Sequence, residues 1–312
     1  MDRLTENKII LVKRRTRLED LITRYNTIAQ AKFYIEHMGS DFSDYISEDQ
    51  RYKDAISSAF RLLEPLGRVQ IVDRDYVPNY IFGDNDIVVV VGQDGLVANT
   101  LKYLSTQLLI GVNPDPRRWD GVLLPFTVSN LSSVMQDVFK KKRKIKEVSM
   151  AKATLNDGQT IYAVNDLFIG QKTHVSSRYQ IKLGERQEFQ SSSGIIVSTG
   201  LGSTGWLKSI LAGATNIVNG STDSKIKLQN DRNSPWDIDY LYFSVREPFP
   251  SKTTSTDIVF GRVTKENPLR ILSQMPENGV IFSDGIEHDF LLFNSGIEAT
   301  ISIAEKRGYL VV

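Results

Sequence analysis

The run Ile87-Val88-Val89-Val90-Val91 constrains the fold more than any other stretch of this chain. It is continuously apolar and mostly β-branched, a composition that suits a pleated strand. A strand with one wet face would alternate apolar and polar residues. This one does not, so it predicts burial on both faces, and hence a parallel sheet covered by helices. Similar short runs stand at Lys8–Val12, Arg68–Val72 and Leu109–Val112. Between them, Leu18 to Leu62 is helix-rich with a break at Gly39-Ser40, and Leu131–Phe139 reads as a further helix. That rhythm predicts an α/β domain with a Rossmann-like parallel sheet and right-handed crossovers.

The pattern changes after the basic run Lys140–Lys146. Strand-type segments then follow at 149–155, 160–168, 178–183, 194–199, 241–245, 280–283, 290–293 and 298–304. Asn156-Asp157-Gly158, Glu277-Asn278-Gly279 and Ser283-Asp284-Gly285 punctuate them as turns, so a mostly antiparallel β domain is expected. One helix interrupts it, from about Gly205 to Ile217, and the polar segment 218–237 reads as a surface loop. The expected domains are 1–146 and 147–312. The basic run holds no interleaved aromatic residue, which fits a solvated linker better than a nucleic-acid patch.

Charge and rare residues narrow the chemistry. Lys plus Arg number 38 against 37 Asp plus Glu, a net charge of +1. No global field then exists for nucleic acid or an anionic membrane, and an anionic ligand needs a local site. With 0 cysteines, disulfides, thiolate metal sites and cysteine nucleophiles are excluded. The 3 histidines, His37, His174 and His288, are far apart, a poor start for a polyhistidine metal site or a Ser-His-Asp triad. The opening residues 1–6 carry no apolar core of a leader, and no apolar run approaches the ~20 residues of a membrane helix. A soluble, cytoplasmic protein is the expectation.

Three segments hold the candidate chemistry. In the first, the buried strand ends at Gly92-Gln93-Asp94-Gly95 and an amphipathic helix begins. Glycines admit a phosphate close to backbone, and the N–H groups of a helix start point at it. A carboxylate beside phosphate makes sense if it binds a metal or accepts a proton from an attacking hydroxyl. Equally, the glycines serve a turn and Asp94 caps the helix. Neither the Walker pattern nor the six-residue dinucleotide fingerprint is present. The second segment is Asn165-Asp166, set within the otherwise apolar strand 160–168. An amide and a carboxylate suit ring nitrogens and ribose hydroxyls, and a bulge or edge position explains them as well. The third is Thr199-Gly200-Leu201-Gly202-Ser203-Thr204, where a Gly/Ser/Thr loop opens a helix and offers N–H and O–H donors to phosphate or sugar.

In this order and spacing, the three segments resemble the NAD kinase family. The hallmarks there are a Gly-Gly-Asp-Gly loop, an Asn-Glu pair and a Thr-x-x-Gly-Ser-Thr loop. The likeness looks closest to the divergent branch that includes the mitochondrial NAD kinase of animals. It extends to Leu11–Arg17, Ile110–Pro116, Phe168–Gly170, Ser176–Tyr179, Ser192–Gly194, Gly205-Trp206 and Phe243–Pro248. The resemblance implies an N-terminal α/β domain and a β-sandwich domain with the site between them. It also implies a homo-oligomer, often a dimer, and transfer of the γ-phosphate of Mg-ATP to the 2′-hydroxyl of the adenosine ribose of NAD, giving NADP.

Roles follow from that likeness. Asp94 would accept or orient the hydroxyl proton. Gly92, Gln93, Gly95, Gly202 and Ser203 would bind the phosphates of ATP. Asn165, Asp166, Thr199, Thr204, Ser209 and Arg246 would bind NAD, Arg246 because its fork suits phosphate or carboxylate. A surface ion pair for Arg246 is the competing assignment. Asn113, Asp115 and Arg117 would support the site after the next parallel strand. Mg2+ would arrive with ATP, with no metal ligand assigned in the protein.

Four residues depart from the family pattern. Gln93 stands for the second glycine, Leu96 for a hydroxyl residue, Asp166 for glutamate, and Gly205 for alanine or a similar small residue. Donor choice and affinity are what these place in question. Two rival functions remain. One is a kinase of the same fold acting on a lipid or sugar hydroxyl, although no long apolar run offers a lipid slot. The other is a nucleotide sensor that keeps the pocket and, through Gln93, has lost transfer.

Overall fold

The apolar runs of the first half become strands covered on both faces. The structure, a computed structural model, describes residues 5–223, 225–227 and 235–312; residues 1–4, part of the opening sequence considered above, lie outside them. The chain divides into two units, one comprising 1–146 with 308–312 and the other 147–307.

In the first unit the elements run β1 (Lys8–Lys13), α1 (Arg17–Tyr25), α2 (Ile28–His37), α3 (Ser43–Leu63), β2 (Arg68–Asp73), β3 (Ile87–Val91), α4 (Asp94–Leu101), β4 (Leu108–Asn113), β5 (Phe126–Thr127) and α5 (Leu131–Phe139). The strands are parallel in the order β2-β1-β3-β4, with β5 on the end of β4. On one face Ile9, Leu11, Val89, Val91, Ile110 and Val112 pack against α3 and α5. Ile10, Val12, Val88, Val90 and Leu109 on the other face are also buried. Full burial of each such side chain is worth roughly 1.5–3 kcal/mol, which is why the run tolerates no polar residue.

Local signals set the helices. Thr16 and Glu19 form a capping box at the start of α1. Asn26, at φ 66°, and Gly39, at φ +77°, make the breaks on either side of α2. The chain leaves β1 for β2 on one side and returns to β3 on the other. Such a reversal opens a crevice at the carboxyl ends of β1 and β3, where open α/β sheets bind ligands.

The second unit contains most of β6 (Ile145–Leu155), then β7 (Thr160–Ala163), β8 (Asp166–Gln171), β9 (Ser177–Leu183), β10 (Arg186–Ser192), β11 (Ile195–Ser198), α6 (Trp206–Ser221), β12 (Leu241–Val245), β13 (Phe260–Val263), β14 (Leu269–Ser273), β15 (Gly279–Ser283), β16 (Phe290–Leu292) and most of β17 (Glu298–Val311). β13-β12-β11-β8-β15-β16 form one antiparallel sheet. β10-β9-β14-β17 form another, extended by β6 and β7. One apolar core joins their inner faces, with Leu167, Ile169, Val197 and Phe243 from the first and Ala153, Tyr179, Ile271 and Ile301 from the second. This is a sandwich.

Four strands exceed the sequence expectation: β5, β10, β13 and β14. Polar β10 and short β13 sit at sheet edges, where an apolar run is not required. The helix α6 continues to Ser221, four residues past the expected end, so the segment read as a loop begins in helix. Asn219 closes it by a two-way bond with Ile226, donating to the carbonyl at 2.9 Å and accepting from the N–H at 2.7 Å. Residues 224 and 228–234 of that segment lie outside the described ones.

Candidate functional site

The first expected segment is a strand–loop–helix corner at the carboxyl end of β3. The hydroxyl of Tyr52, buried in α3, donates to the Val91 carbonyl at 2.8 Å and accepts from the Arg14 N–H at 2.9 Å. One side chain therefore ties the ends of β1 and β3 together. Burial holds that phenol well above its ordinary range, so it stays a donor. Gly92 then donates to Val112 at 3.2 Å. A methyl at Gly92 would meet Leu96 Cδ2 at 2.7 Å, and Leu96 is buried beneath the turn. Leu96, the departure from a hydroxyl residue, is thus a packing residue here.

Asp94 does not cap its helix. Its carboxylate instead accepts from the N–H groups of Leu123 at 2.7 Å and Val122 at 3.2 Å. Gln93 occupies the cap position without a side-chain cap bond, and its carbonyl accepts from Leu96 and Val97. Among the described residues, the N–H groups of Asp94 and Gly95 have no acceptor. No atom lies within 4 Å of where a Cβ on Gly95 would stand. The corner thus pairs two free N–H donors at a helix start with an exposed glycine, the chemistry that accepts an anion. Nearby, Asn113 bonds the Trp119 carbonyl at 2.9 Å and Asp115 pairs with Arg51 at 3.0 Å.

The second and third expected segments meet each other in the second unit. The strand expected over 160–168 is broken at Val164-Asn165, a correction with a clear cause. Asp284, in a left-handed turn at φ 53°, accepts the N–H groups of Val164 (3.1 Å), Asn165 (2.7 Å) and Asp166 (3.3 Å) on its carboxylate. A carboxylate that gathers the N–H groups of Val164 and Asn165 leaves them unavailable to a ladder, which resumes at Asp166. Asp284 in turn donates its own N–H to the Asp166 carbonyl at 3.0 Å. This residue escaped sequence reasoning, which read Ser283-Asp284-Gly285 only as a turn.

The hydroxyl loop locks onto the same corner. Thr199 donates its hydroxyl to the Val164 carbonyl at 2.6 Å and accepts from the Gly202 N–H at 3.1 Å. Its N–H reaches the Asn165 carbonyl at 2.9 Å. A methyl on Gly202 would stand 2.0 Å from that carbonyl oxygen, so glycine is required for the loop to close. Ser203 and Thr204 donate to the carbonyls of Gly200 (2.7 Å) and Leu201 (3.2 Å), and Ser209 contacts the Gly205 carbonyl at 3.5 Å. These hydroxyls retain lone pairs for a ligand.

Two side chains at the corner have no partner among the described residues. The Asn165 amide is half-buried and makes no hydrogen bond. The Asp166 carboxylate belongs to a residue only 8% exposed, with neither donor nor cation beside it. Burial first, and the charge of Asp284 second, raise its pKa to about 7.

Arg246 lies elsewhere in this unit. Its guanidinium stands 5.4 Å from the Trp206 ring and makes no ion pair among the described residues. Trp206 stacks on Phe168 at 6.0 Å, and Phe168 on Phe282 at 4.8 Å. Together with His174 and Glu287 these residues line a cavity of about 580 Å3. No ring stacking of this kind was legible from the sequence.

No family model and no curated protein matches the chain. Solved structures do. An NAD kinase from Archaeoglobus fulgidus, determined in complex with ATP, matches with a TM-score of 0.57 at 14% identity, covering 98% of this chain and 93% of that one. Yeast NADH kinase, complexed with NADH, matches with a TM-score of 0.59 at 14% identity, covering 99% of this chain and 84% of that one. At that identity the likeness establishes the fold: an α/β unit and an antiparallel β unit arranged along the chain as in these kinases.

Proposed function

We propose that the protein transfers the γ-phosphate of Mg-ATP to the 2′-hydroxyl of the adenosine ribose of NAD, giving NADP. The observation that carries this reading is the Gly92–Gly95 corner, with free N–H donors and a carboxylate at the start of α4. It supports phosphate handling at the carboxyl end of β3. The buried, unpartnered Asp166 beside the Asn165 amide supports a ligand with hydroxyl and ring-nitrogen groups. The fold of the NAD and NADH kinases agrees with both.

Roles within this reading are as follows. The N–H groups of Asp94 and Gly95 hold phosphate oxygens. The Asp94 carboxylate, kept in place by Val122 and Leu123, retains lone pairs to accept the ribose hydroxyl proton as the new O–P bond forms and the bond from the γ-phosphorus to the leaving ADP breaks. Asn165 and Asp166 hold the adenosine and its ribose, with Ser203, Thr204 and Ser209 offering further hydroxyls. Mg2+ would arrive with ATP and would neutralise part of the charge on its phosphates. Homodimerisation and a place in the cytoplasm belong to the same proposal.

A second reading, a nucleotide-binding sensor, is favoured by one observation: the Asp94 oxygens already hold two N–H donors. A coupled assay decides. Purified protein with Mg-ATP and NAD should form NADP, read by an NADP-specific dehydrogenase, and Asp94→Asn should abolish it. Binding of NAD without NADP formation, with ATP or polyphosphate as donor, establishes the sensor. Failure to bind NAD refutes both.

A further inference from the structure

The Asn165-Asp166 corner carries a charge arrangement that its role in holding a ribose does not require. Two carboxylates, Asp166 and Asp284, are held close by the backbone, yet they are treated oppositely. Asp284 receives three N–H groups, from Val164, Asn165 and Asp166. Asp166 receives none among the described residues, and its residue is 8% exposed. N–H donors favour an ionised acceptor, whereas burial without donors favours the neutral acid. Negative charge at the corner therefore resides on Asp284, and the proton on Asp166.

Among the described residues, the surroundings offer Asp166 no other charge. Across the sheet its neighbour on β11 is Ser198, and on the other side, where Ser283 of β15 pairs with Leu167, it meets Asp284 just past the end of β15. The loop packed over the corner contributes Thr199 and Gly202. Among the described residues, Asp284 is the one charged group that acts on Asp166.

A neutral carboxylic acid can accept one donor well but must itself donate a proton. A carboxylate accepts from two adjacent hydroxyls at once. The form that suits a vicinal diol is thus the form the ligand-free corner disfavours. We infer that Asp284 is a positioning residue for the Asn165-Asp166 corner, and that capture of a diol-bearing nucleotide there expels one proton from Asp166. The step balances as neutral Asp166 plus ligand giving the ionised Asp166–ligand complex plus a proton to solvent. This rests on the proposed reading in one respect, that NAD is the ligand used to test it.

Linkage fixes the observable. Below the point where Asp166 takes up its proton, the apparent affinity for NAD falls tenfold per pH unit; above about pH 8 it is flat. NAD itself has no group titrating between pH 6 and 8, so proton release reports the protein. Isothermal calorimetry of NAD binding at pH 6.5, in two buffers of different ionisation enthalpy, should give release of about three-quarters of a proton. Asp166→Asn should bind NAD with none. Asp284→Asn keeps an oxygen for the Asn165 N–H but removes the charge, so release at pH 6.5 should fall. Without ligand, carbon-13 titration of the wild-type carboxyls should show one aspartate changing near neutral pH, absent in Asp166→Asn.

Equal heats of NAD binding in the two buffers overturn the inference and leave the functional reading intact. No binding heat at all overturns both. An unfolded Asp284→Asn variant does not rescue it, because the wild-type buffer pair and the wild-type titration each decide alone.

Discussion

Gly95→Ala separates a glycine kept for a ligand from one kept for the fold. An added Cβ at Gly95 has nothing within 4 Å, and the residue lies in the first turn of α4. Alanine in place of glycine in a helix contributes up to about 1 kcal/mol, less near the end. The variant should therefore be as stable as wild type or slightly more so. For a unit of roughly 150 residues, 1 kcal/mol moves Tm by about 2–4 °C. If phosphate oxygens pack against Gly95, the methyl group takes their place. Displacing a reacting group by about 1 Å costs on the order of a hundredfold in rate. Gly202→Ala is the contrast. Its Cβ would stand 2.0 Å from the Asn165 carbonyl oxygen, where an ordinary C···O contact is about 3.3 Å. That oxygen belongs to backbone held by Thr199 and Asp284, so the corner must move and the cost is about 1–3 kcal/mol or more. Thermal melts and the NADP-coupled assay, run on both variants, give a two-by-two result. Gly95→Ala should melt at or above the wild-type temperature with NADP formation lost, and Gly202→Ala should melt several degrees lower. Wild-type NADP formation by Gly95→Ala would refute phosphate approach at that residue, and a clear fall in its Tm would refute the steric reasoning.

Other expectations follow from single side chains. Tyr52→Phe strands the Val91 carbonyl and the Arg14 N–H in a buried place, at about 1–3 kcal/mol each before water re-enters, so the denaturant midpoint should fall. Asp166 takes up its proton at a higher pH folded (about 7) than unfolded (3.8), so the folded state binds more protons between those values. Its contribution to stability is present at low pH and is lost as pH rises through 7. Asp166→Asn should therefore be more stable than wild type at pH 8, by at most about 4 kcal/mol, with the gain shrinking toward pH 4 in urea melts. Arg246→Ala, which removes the guanidinium from the Trp206 ring but breaks no ion pair among the described residues, should leave Tm within about 2 °C while changing Trp206 fluorescence.

The sequence by itself determined the layers. Ile87–Val91 had to be a doubly covered parallel strand, because no other placement hides five apolar side chains that point both ways. The change of rhythm after the basic run likewise required an antiparallel unit. The candidate residues of the three loops were also visible, since glycine, hydroxyl and acid at strand ends are local signals. What they do was not. Asn165-Asp166 read as an insertion in a strand, yet the backbone breaks there because Asp284, more than a hundred residues on, takes its N–H groups. Leu96 read as a lost hydroxyl, and it packs under Gly92. Polar β10 and short β13 were illegible because edge strands are fixed by their neighbours' hydrogen bonds rather than by their own apolar pattern. Periodicity encodes which face is buried; which carboxylate is satisfied and which is left bare depends on contacts between residues far apart in the chain. Only the tertiary structure decides that.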